Sequence, residues 1–302
     1  MTDIIVIGAG PAGLTAALYA ARANKSVTVL EKGSFGGQIN FSPKIENYPG
    51  TIEITGAELA DKLVEQALSQ GVDIELSEVV GIEDKGNFKK VITDDGEYEA
   101  KAVIIATGAR HRHLGVEGER EFEGNGISFC AVCDGAFYSG QRVAVIGGGN
   151  SALQEALLLS ELCLSVVVIQ NLETFTGEEK LVKLLEAKPN VKALFGKTVK
   201  KFEGSDKLEK VIITGRDGDE EIAVDGVFVA IGLKPENESF ENVCALDKVG
   251  YVVSDEACTT KTEGVFVAGD CRTKTIRQIA TAVSDGAVAA LSAVRYIDLL
   301  SL

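Results

Sequence analysis

The chain is predicted to be α/β, made of two Rossmann-like dinucleotide-binding domains with the second inserted in the first. Three observations predict this. Two strand–glycine-turn–helix openings recur, at residues 3–13 and 142–152. Strands and helices alternate over most of the length, as in doubly wound sheets. The last strand, "GVFVAGD" (264–270), and the helix after it have no βαβ partner of their own, so they return to complete the first domain. The implied organisation is 1–113 and 245–302 for the first domain and 114–244 for the inserted one. The crossings fall near 112–118 and 244–250, and both contain glycine, which suits a hinge rotation.

Composition agrees with that class. The chain has 302 residues, 33 of them glycine and only 5 proline, as many tight strand-to-helix turns require. A net charge of −15 argues against nucleic acid or an anionic membrane as partner. The longest apolar run, "ALLLSELCLSVVVI", is broken by Glu161 and two serines and reads as helix then strand rather than a membrane span. The first strand begins straight after Met1-Thr2, which predicts no leader peptide. Six cysteines in such a chain predict a reducing, cytoplasmic setting.

Taken in order, "DIIVIGAGPAGLTAALYAARANKSVTVLEK" gives a strand, Gly8-x-Gly10-x-x-Gly13, a helix, a second strand and Glu31 at its end. Gly8 permits the tight turn, Gly10 admits a pyrophosphate to the backbone, and Gly13 lets helix and strand pack closely. The helix N-terminus offers N–H groups to phosphate, and Glu31 is placed to accept from ribose hydroxyls. A helix follows at about 56–70, then a strand-rich stretch ending in "AVIIATG" (102–108).

"SFCAVCDGAFYSG" supplies Cys130-Ala-Val-Cys133-Asp134. That spacing lets a disulfide span one helical turn and in a cytosolic protein means redox or metal chemistry. A structural zinc needs four ligands. There is no second CxxC, and the only histidines are His111 and His113, so a metal is not expected. Cys163, Cys244, Cys258 and Cys271 read as packing residues.

The second opening, "VIGGGNSA", leads to a helix at 151–162, the strand 166–169, a helix near 178–187, several short strands and "VDGVFVAIG". A 2′-phosphate beyond strand 166–169 must meet guanidinium or ammonium groups. The sequence there is "QNLETFTGEEK": no Lys or Arg before Lys180, while Glu173, Glu178 and Glu179 repel phosphate. An NAD site would place Asp or Glu at the strand end, where Ile169-Gln170 stand. This turn therefore reads as a fold-building glycine turn without its nucleotide. After it, "VFVAGDCRTKTIRQIATAVSDGAVAA" (265–290) opens a long helix predicted from about 276 to 299.

With "FGGQINFSPKIENYPG" (35–50), "ATG" (106–108), the late Gly-Asp and Cys-Ala-x-Cys-Asp, the chain resembles the low-molecular-weight thioredoxin reductases over essentially its whole length. The resemblance implies FAD held by the first domain. Gly37, Gln38 and Asn47 would lie on the flavin side, Asp270 at the ribitol, and the Gln278-Ile279 backbone at the ring carbonyls. Pro11, Ala12, Lys32, Val79, Thr107, Gly108 and Gly269 join Gly8, Gly10, Gly13 and Glu31 in the implied set. It further implies that Cys130 attacks the disulfide of thioredoxin, Cys133 exchanges electrons with the flavin, and Asp134 is the general acid. A homodimer is expected.

Members that use NADPH carry a His-Arg-Arg pattern with a further Arg where this chain has Gln170-Asn171-Leu172. The departure resembles the ferredoxin-dependent flavin thioredoxin reductases, which implies ferredoxin or flavodoxin as electron donor. An acidic donor then needs a basic patch: residues 110–113, Lys197 with Lys200-Lys201, or Arg272, Lys274 and Arg277. An NAD(P)H-dependent reductase with an atypical grip, a flavin dithiol oxidase and a non-catalytic redox sensor remain alternatives.

Overall fold

The first opening folds as its apolar run dictates in the computed structural model, which describes residues 1–42, 45–216 and 218–300. Strand β1 (Thr2–Ile7) feeds helix α1 (Pro11–Arg22), which returns to β2 (Val27–Glu31). Helix α2 (Gly56–Leu68) starts on a capping box: the Thr55 side chain accepts from Glu58 N–H, and the Glu58 carboxylate accepts from Thr55 N–H. Strands β3 (Asp73–Leu76), β4 (Val79–Asp84), β5 (Lys89–Thr93) and β6 (Glu97–Ile105) follow, then a short β7 (Ala109–His111).

The next stretch holds β8 (Ile127–Ser128), the one-turn α3 (Ala131–Asp134), β9 (Arg142–Ile146), α4 (Asn150–Leu162), β10 (Ser165–Ile169) and α5 (Glu179–Glu186). Strands β11 (Val191–Leu194), β12 (Thr198–Gly204), β13 (Leu208–Gly215), β14 (Gly218–Ala223), β15 (Gly226–Val229) and β16 (Leu233–Pro235) come next. The chain closes with β17 (Val265–Val267) and α6 (Ile279–Leu300).

The chain forms two compact units, Met1–Arg110 with Lys234–Leu302, and His111–Leu233. In the first unit a seven-stranded sheet runs β3-β2-β1-β6-β5-β4. Strand β17 pairs in parallel with the second half of β6, Val265 opposite Val103 and Val267 opposite Ile105. The late strand and helix thus complete the first sheet, and the second unit is an insertion. In that second unit five parallel strands run β11-β10-β9-β15-β8, beside an antiparallel β12-β13-β14 sheet.

Three boundaries differ from the sequence reading, and the first crossing lies at 110/111 rather than near 112–118. The second crossing lies at 233/234, not near 244–250, because Phe240, Val243 and Cys244 are buried against Ile105, Val252 and Val265 of the first unit. Helix α6 begins at Ile279, not 276, because the Thr281 hydroxyl takes the Gln278 N–H (3.1 Å) and donates to the Ile276 and Gln278 carbonyls, holding those residues in a turn. Among the described residues no helix is long and apolar enough to cross a membrane.

Candidate functional site

The glycine turn of the first unit is fixed by close backbone packing. Gly8 has φ +107°, and a Cβ there would sit 2.4 Å from the Ala106 carbonyl oxygen. A Cβ on Gly13 would fall 1.8 Å from the Gly8 carbonyl oxygen. At Gly10 the space is open, with only the Gly36 carbonyl oxygen within reach, at 3.9 Å, and nothing lies within 4 Å of a Cβ on Gly108. Gly10 is the N-cap of α1, no side chain caps the helix, and Pro11 stands at its first turn. Glu31 holds the loop from below: its carboxylate accepts from Ala9 N–H (2.7 Å) and Gly33 N–H (2.8 Å).

Beside this turn a cavity of about 300 Å³ is lined by Gly8, Glu31, Lys32, Val79, Thr107 and Glu236, among others. Lys32 pairs with Glu236 across it (2.7 Å), and the Thr107 hydroxyl lies 3.0 Å from the buried Asn237 side-chain oxygen. Asp270, on a 3₁₀ turn from Gly269 to Cys271, has a buried Oδ1 with no hydrogen-bond partner among the described residues. Burial pushes its carboxyl above the usual range, opposed by Lys274 and Arg277. Gly37 and Gln38 begin a 3₁₀ turn (Gly37–Phe41), and the Asn47 side chain donates to that of Gln278 (3.3 Å). Pro43 and Lys44 of the segment 35–50 lie outside the described residues. An open glycine turn at a helix start, an acid at the end of β2 and an orphaned buried carboxylate oxygen fit a dinucleotide with a polyol linker.

In the second unit Cys130 and Cys133 form a disulfide with Cα atoms 5.3 Å apart. Cys130 is the N-cap of α3, and its sulfur accepts from Cys133 N–H (3.2 Å). Ser128, which sequence reasoning missed, ties the turn together. Its hydroxyl accepts from Cys130 N–H (3.1 Å) and donates to Asp134 Oδ2 (2.6 Å). Burial raises the Asp134 carboxyl above the usual range, against the hydrogen bond from Ser128, and its Oδ1 has no hydrogen-bond partner among the described residues. An acid that holds its proton more firmly, one turn from a disulfide, can protonate a leaving thiolate. Both histidine rings lie 5.0 Å from the ring of Phe129, and burial pushes His111 down to about 4, so it is neutral at pH 7.

At the second glycine turn the segment 174–178 closes on the turn. Gly148 O accepts from Thr176 N–H (2.8 Å) and Gly177 N–H (3.1 Å), and Gln170 packs beneath Gly148. Asn150, first residue of α4, accepts from Glu178 N–H (2.7 Å) and donates to the Glu178 carboxylate (3.1 Å). The Glu178 carboxylate thus lies beside the Asn150 side chain, while among the described residues no side chain caps the α4 N–H groups themselves. Asn171 and Leu172 are exposed. The tertiary structure does bring a cation that the local sequence lacks. Arg216, just after β13, pairs with Glu173 (3.0 Å); at Lys197 it is the backbone N–H that meets the Gln170 carbonyl (3.1 Å), its ammonium pairing with Glu220.

The expected basic patches are largely neutralised. Arg272 and Lys274 both bind Asp285 at 2.8 Å and are nearly buried, and Arg277 stacks 4.1 Å over the Tyr251 ring. Lys200 pairs with Asp219 (2.6 Å), Lys201 with Glu203, Lys197 with Glu220 (3.9 Å) and Arg110 with Glu236 (3.4 Å). None of these clusters presents the row of unpaired cations that an acidic partner would seek.

A family model described as pyridine nucleotide-disulphide oxidoreductase matches residues 2–286. The thioredoxin reductase of Bacillus subtilis (strain 168) is 40% identical over 301 residues, covering 98% of this chain and 95% of that one. A 34.2 kDa protein in the rubredoxin operon of Clostridium pasteurianum is 41% identical, covering 98% and 97%. The crystal structure of thioredoxin reductase from Streptococcus pyogenes MGAS5005 superposes with a TM-score of 0.95 at 41% identity, covering 99% of each chain.

Proposed function

The chain belongs to the pyridine nucleotide-disulphide oxidoreductase family and is a thioredoxin-reductase-like flavoprotein that binds FAD; from that premise we propose that it reduces thioredoxin with electrons from ferredoxin or flavodoxin. When bound, the cofactor accepts electrons singly and delivers them in pairs. The N-terminus of α1, with Gly10, Pro11, Ala12 and Gly13, would hold its pyrophosphate, and Glu31 its ribose, beside Lys32, Val79, Thr107 and Gly108. Asp270, next to Gly269, would accept from the polyol chain, which supplies the orphaned Oδ1 with a partner. Gly37, Gln38, Asn47, Gln278 and Ile279 would frame the ring; of the last two, Ile279 offers the N–H, since Thr281 occupies that of Gln278.

The disulfide chemistry follows from the redox turn. The Cys130 thiolate bonds to one thioredoxin sulfur, the thioredoxin S–S bond breaks, and the departing thiolate takes the Asp134 proton. Cys133 then gives its proton to the Asp134 carboxylate and attacks Cys130; the mixed disulfide breaks, the second thioredoxin sulfur leaves as a thiolate, and the Cys130–Cys133 bond re-forms. Asp134→Asn keeps the Ser128 contact but has no proton to give. Thioredoxin turnover is expected to fall ~10²- to 10⁴-fold, the range for a lost general acid. An unchanged rate would remove Asp134 from the mechanism.

The donor reading is carried by the second glycine turn, where the Glu178 carboxylate is tied to the Asn150 side chain beside the turn and residues 171–172 are uncharged. A ferredoxin near about −400 mV feeding a thioredoxin near about −270 mV releases about 6 kcal/mol per electron pair. The test is anaerobic stopped-flow mixing of oxidised holoprotein with NADPH, NADH or reduced ferredoxin. Bleaching is expected with ferredoxin alone. Because this chain is itself at −15, an acidic donor should react faster as salt screens the repulsion. Rapid bleaching by NADPH would instead favour a nucleotide-dependent reductase, the reading supported by Arg216 beside Glu173. Arg216–Glu173 is an exposed pair and a weak anchor.

A further inference from the structure

The second unit leaves two buried carboxylate oxygens without hydrogen-bond partners among the described residues, Asp134 Oδ1 and Glu155 Oε2. Asp134 belongs to the redox turn. Glu155 comes from α4, and none of the chemistry above uses it. Its carboxyl meets the backbone N–H of Ala131, the buried first residue of α3, which directly follows Cys130 in the chain. A half-buried glutamate thus touches the redox helix at the residue joined to the attacking cysteine, with one oxygen left unpaired.

We propose that Glu155 is a positioning residue of the dithiol centre that takes up one solvent proton when the Cys130–Cys133 disulfide is reduced. This rests on the reading that the pair cycles between disulfide and dithiol. When a dithiol reduces the pair, the S–S bond breaks and two electrons and one proton are taken up, giving one thiol and one thiolate. The new negative charge appears at the end of α3 that Glu155 already faces, so an ionised carboxylate there is repelled and the acid form is favoured. One further proton, from water, then binds Glu155 and balances the thiolate charge. The carboxyl is well placed for this, since burial pushes it up to about 7 in the disulfide state, with the Ala131 N–H opposing.

Charged neighbours do not set that position. The titratable groups on elements packed against α4 are Asp134 of α3, Tyr138 on the following turn, Arg142 at the start of β9 and those of α5. Arg142 is paired with Asp225 (2.9 Å), and on α5 Lys183 pairs with Glu179 (2.6 Å), leaving Lys180 and Glu186 beside them. None of these contributes to the Glu155 shift, and β10 brings no charged side chain.

The readout is the midpoint potential of the Cys130–Cys133 pair against pH, measured on holoprotein in dithiol buffers by alkylation and mass spectrometry. Below about pH 7 Glu155 is protonated in both states and adds nothing. Above it the carboxylate is ionised only in the disulfide state, so reduction gathers an extra proton. The equilibrium constant then falls tenfold more per pH unit, an added slope of about 30 mV. Wild-type protein should show this steepening above about 7; Glu155→Gln should abolish it, and Glu155→Asp should restore it at a shifted pH. A purely structural glutamate would alter yield or FAD retention in Glu155→Gln without changing the slope. If Glu155→Gln does not fold, the wild-type line decides, and no steepening between about pH 6 and about pH 9 overturns the proposal. A small dithiol is the only reductant and neither thioredoxin nor ferredoxin enters the measurement, so an error about those partners leaves this result readable.

Discussion

Cys133→Ser protein, reduced and mixed with oxidised thioredoxin, is expected to accumulate a stable mixed disulfide through Cys130, with turnover lost below detection. Cys130 is the N-cap of α3, where its sulfur faces the Cys133 N–H, so a thiolate formed there is stabilised by that N–H group. It can attack thioredoxin, but without Cys133 nothing displaces the second sulfur, and the covalent adduct persists. Cys130→Ser is expected to be equally inactive and to form no adduct, because the remaining thiol is the one assigned to the cofactor. Non-reducing gel electrophoresis with mass spectrometry separates the two outcomes. An adduct on Cys133 in the Cys130→Ser protein, and none in its counterpart, would reverse the assignment.

Gly13→Ala is expected to yield protein that is colourless or only weakly loaded with FAD. The new Cβ would lie 1.8 Å from the Gly8 carbonyl oxygen and 3.3 Å from the Val6 side chain. Gly8 cannot retreat, because a Cβ at its own position is already 2.4 Å from the Ala106 carbonyl oxygen and its φ of +107° suits glycine alone. The start of α1 must therefore shift away from β1, taking the pyrophosphate-binding N–H groups with it. Overpacking of this kind costs about 3 kcal/mol, roughly 10²-fold in affinity. Glu31→Ala, which strips the acceptor from Ala9 and Gly33 N–H as well as from the ribose, should weaken FAD less severely. Equilibrium dialysis of FAD against each apoprotein checks the order. Wild-type affinity in Gly13→Ala would mean that this turn does not hold the cofactor.

The sequence by itself determined the two glycine-turn openings, the return of the last strand to the first sheet, and the redox pair. The glycine turns and the redox pair are local properties, and the strand's return follows from its having no βαβ partner of its own in the chain. Apolar alternation, a glycine where a backbone approach demands it, and a two-residue gap between cysteines act over a few residues and survive any tertiary arrangement. The absence of a local phosphate grip beyond β10 was legible for the same reason.

Charge and burial were decided only by the tertiary structure. Arg272 and Lys274 look like a free basic cluster in the chain, yet Asp285, more than ten residues on, neutralises both. Arg216 reaches Glu173 from 43 residues away, bringing a cation to a place the sequence leaves bare. Ser128 and Glu155 carry no motif, and only the packing of α4 against α3 brings a half-buried acid of ordinary spacing to the redox helix. Phe240, Val243 and Cys244 likewise join the first unit because its core has room for them, which moved the crossing to residue 233. A carboxylate's partner and its solvation are set by whatever folds against it, and chain-local pattern carries no record of that.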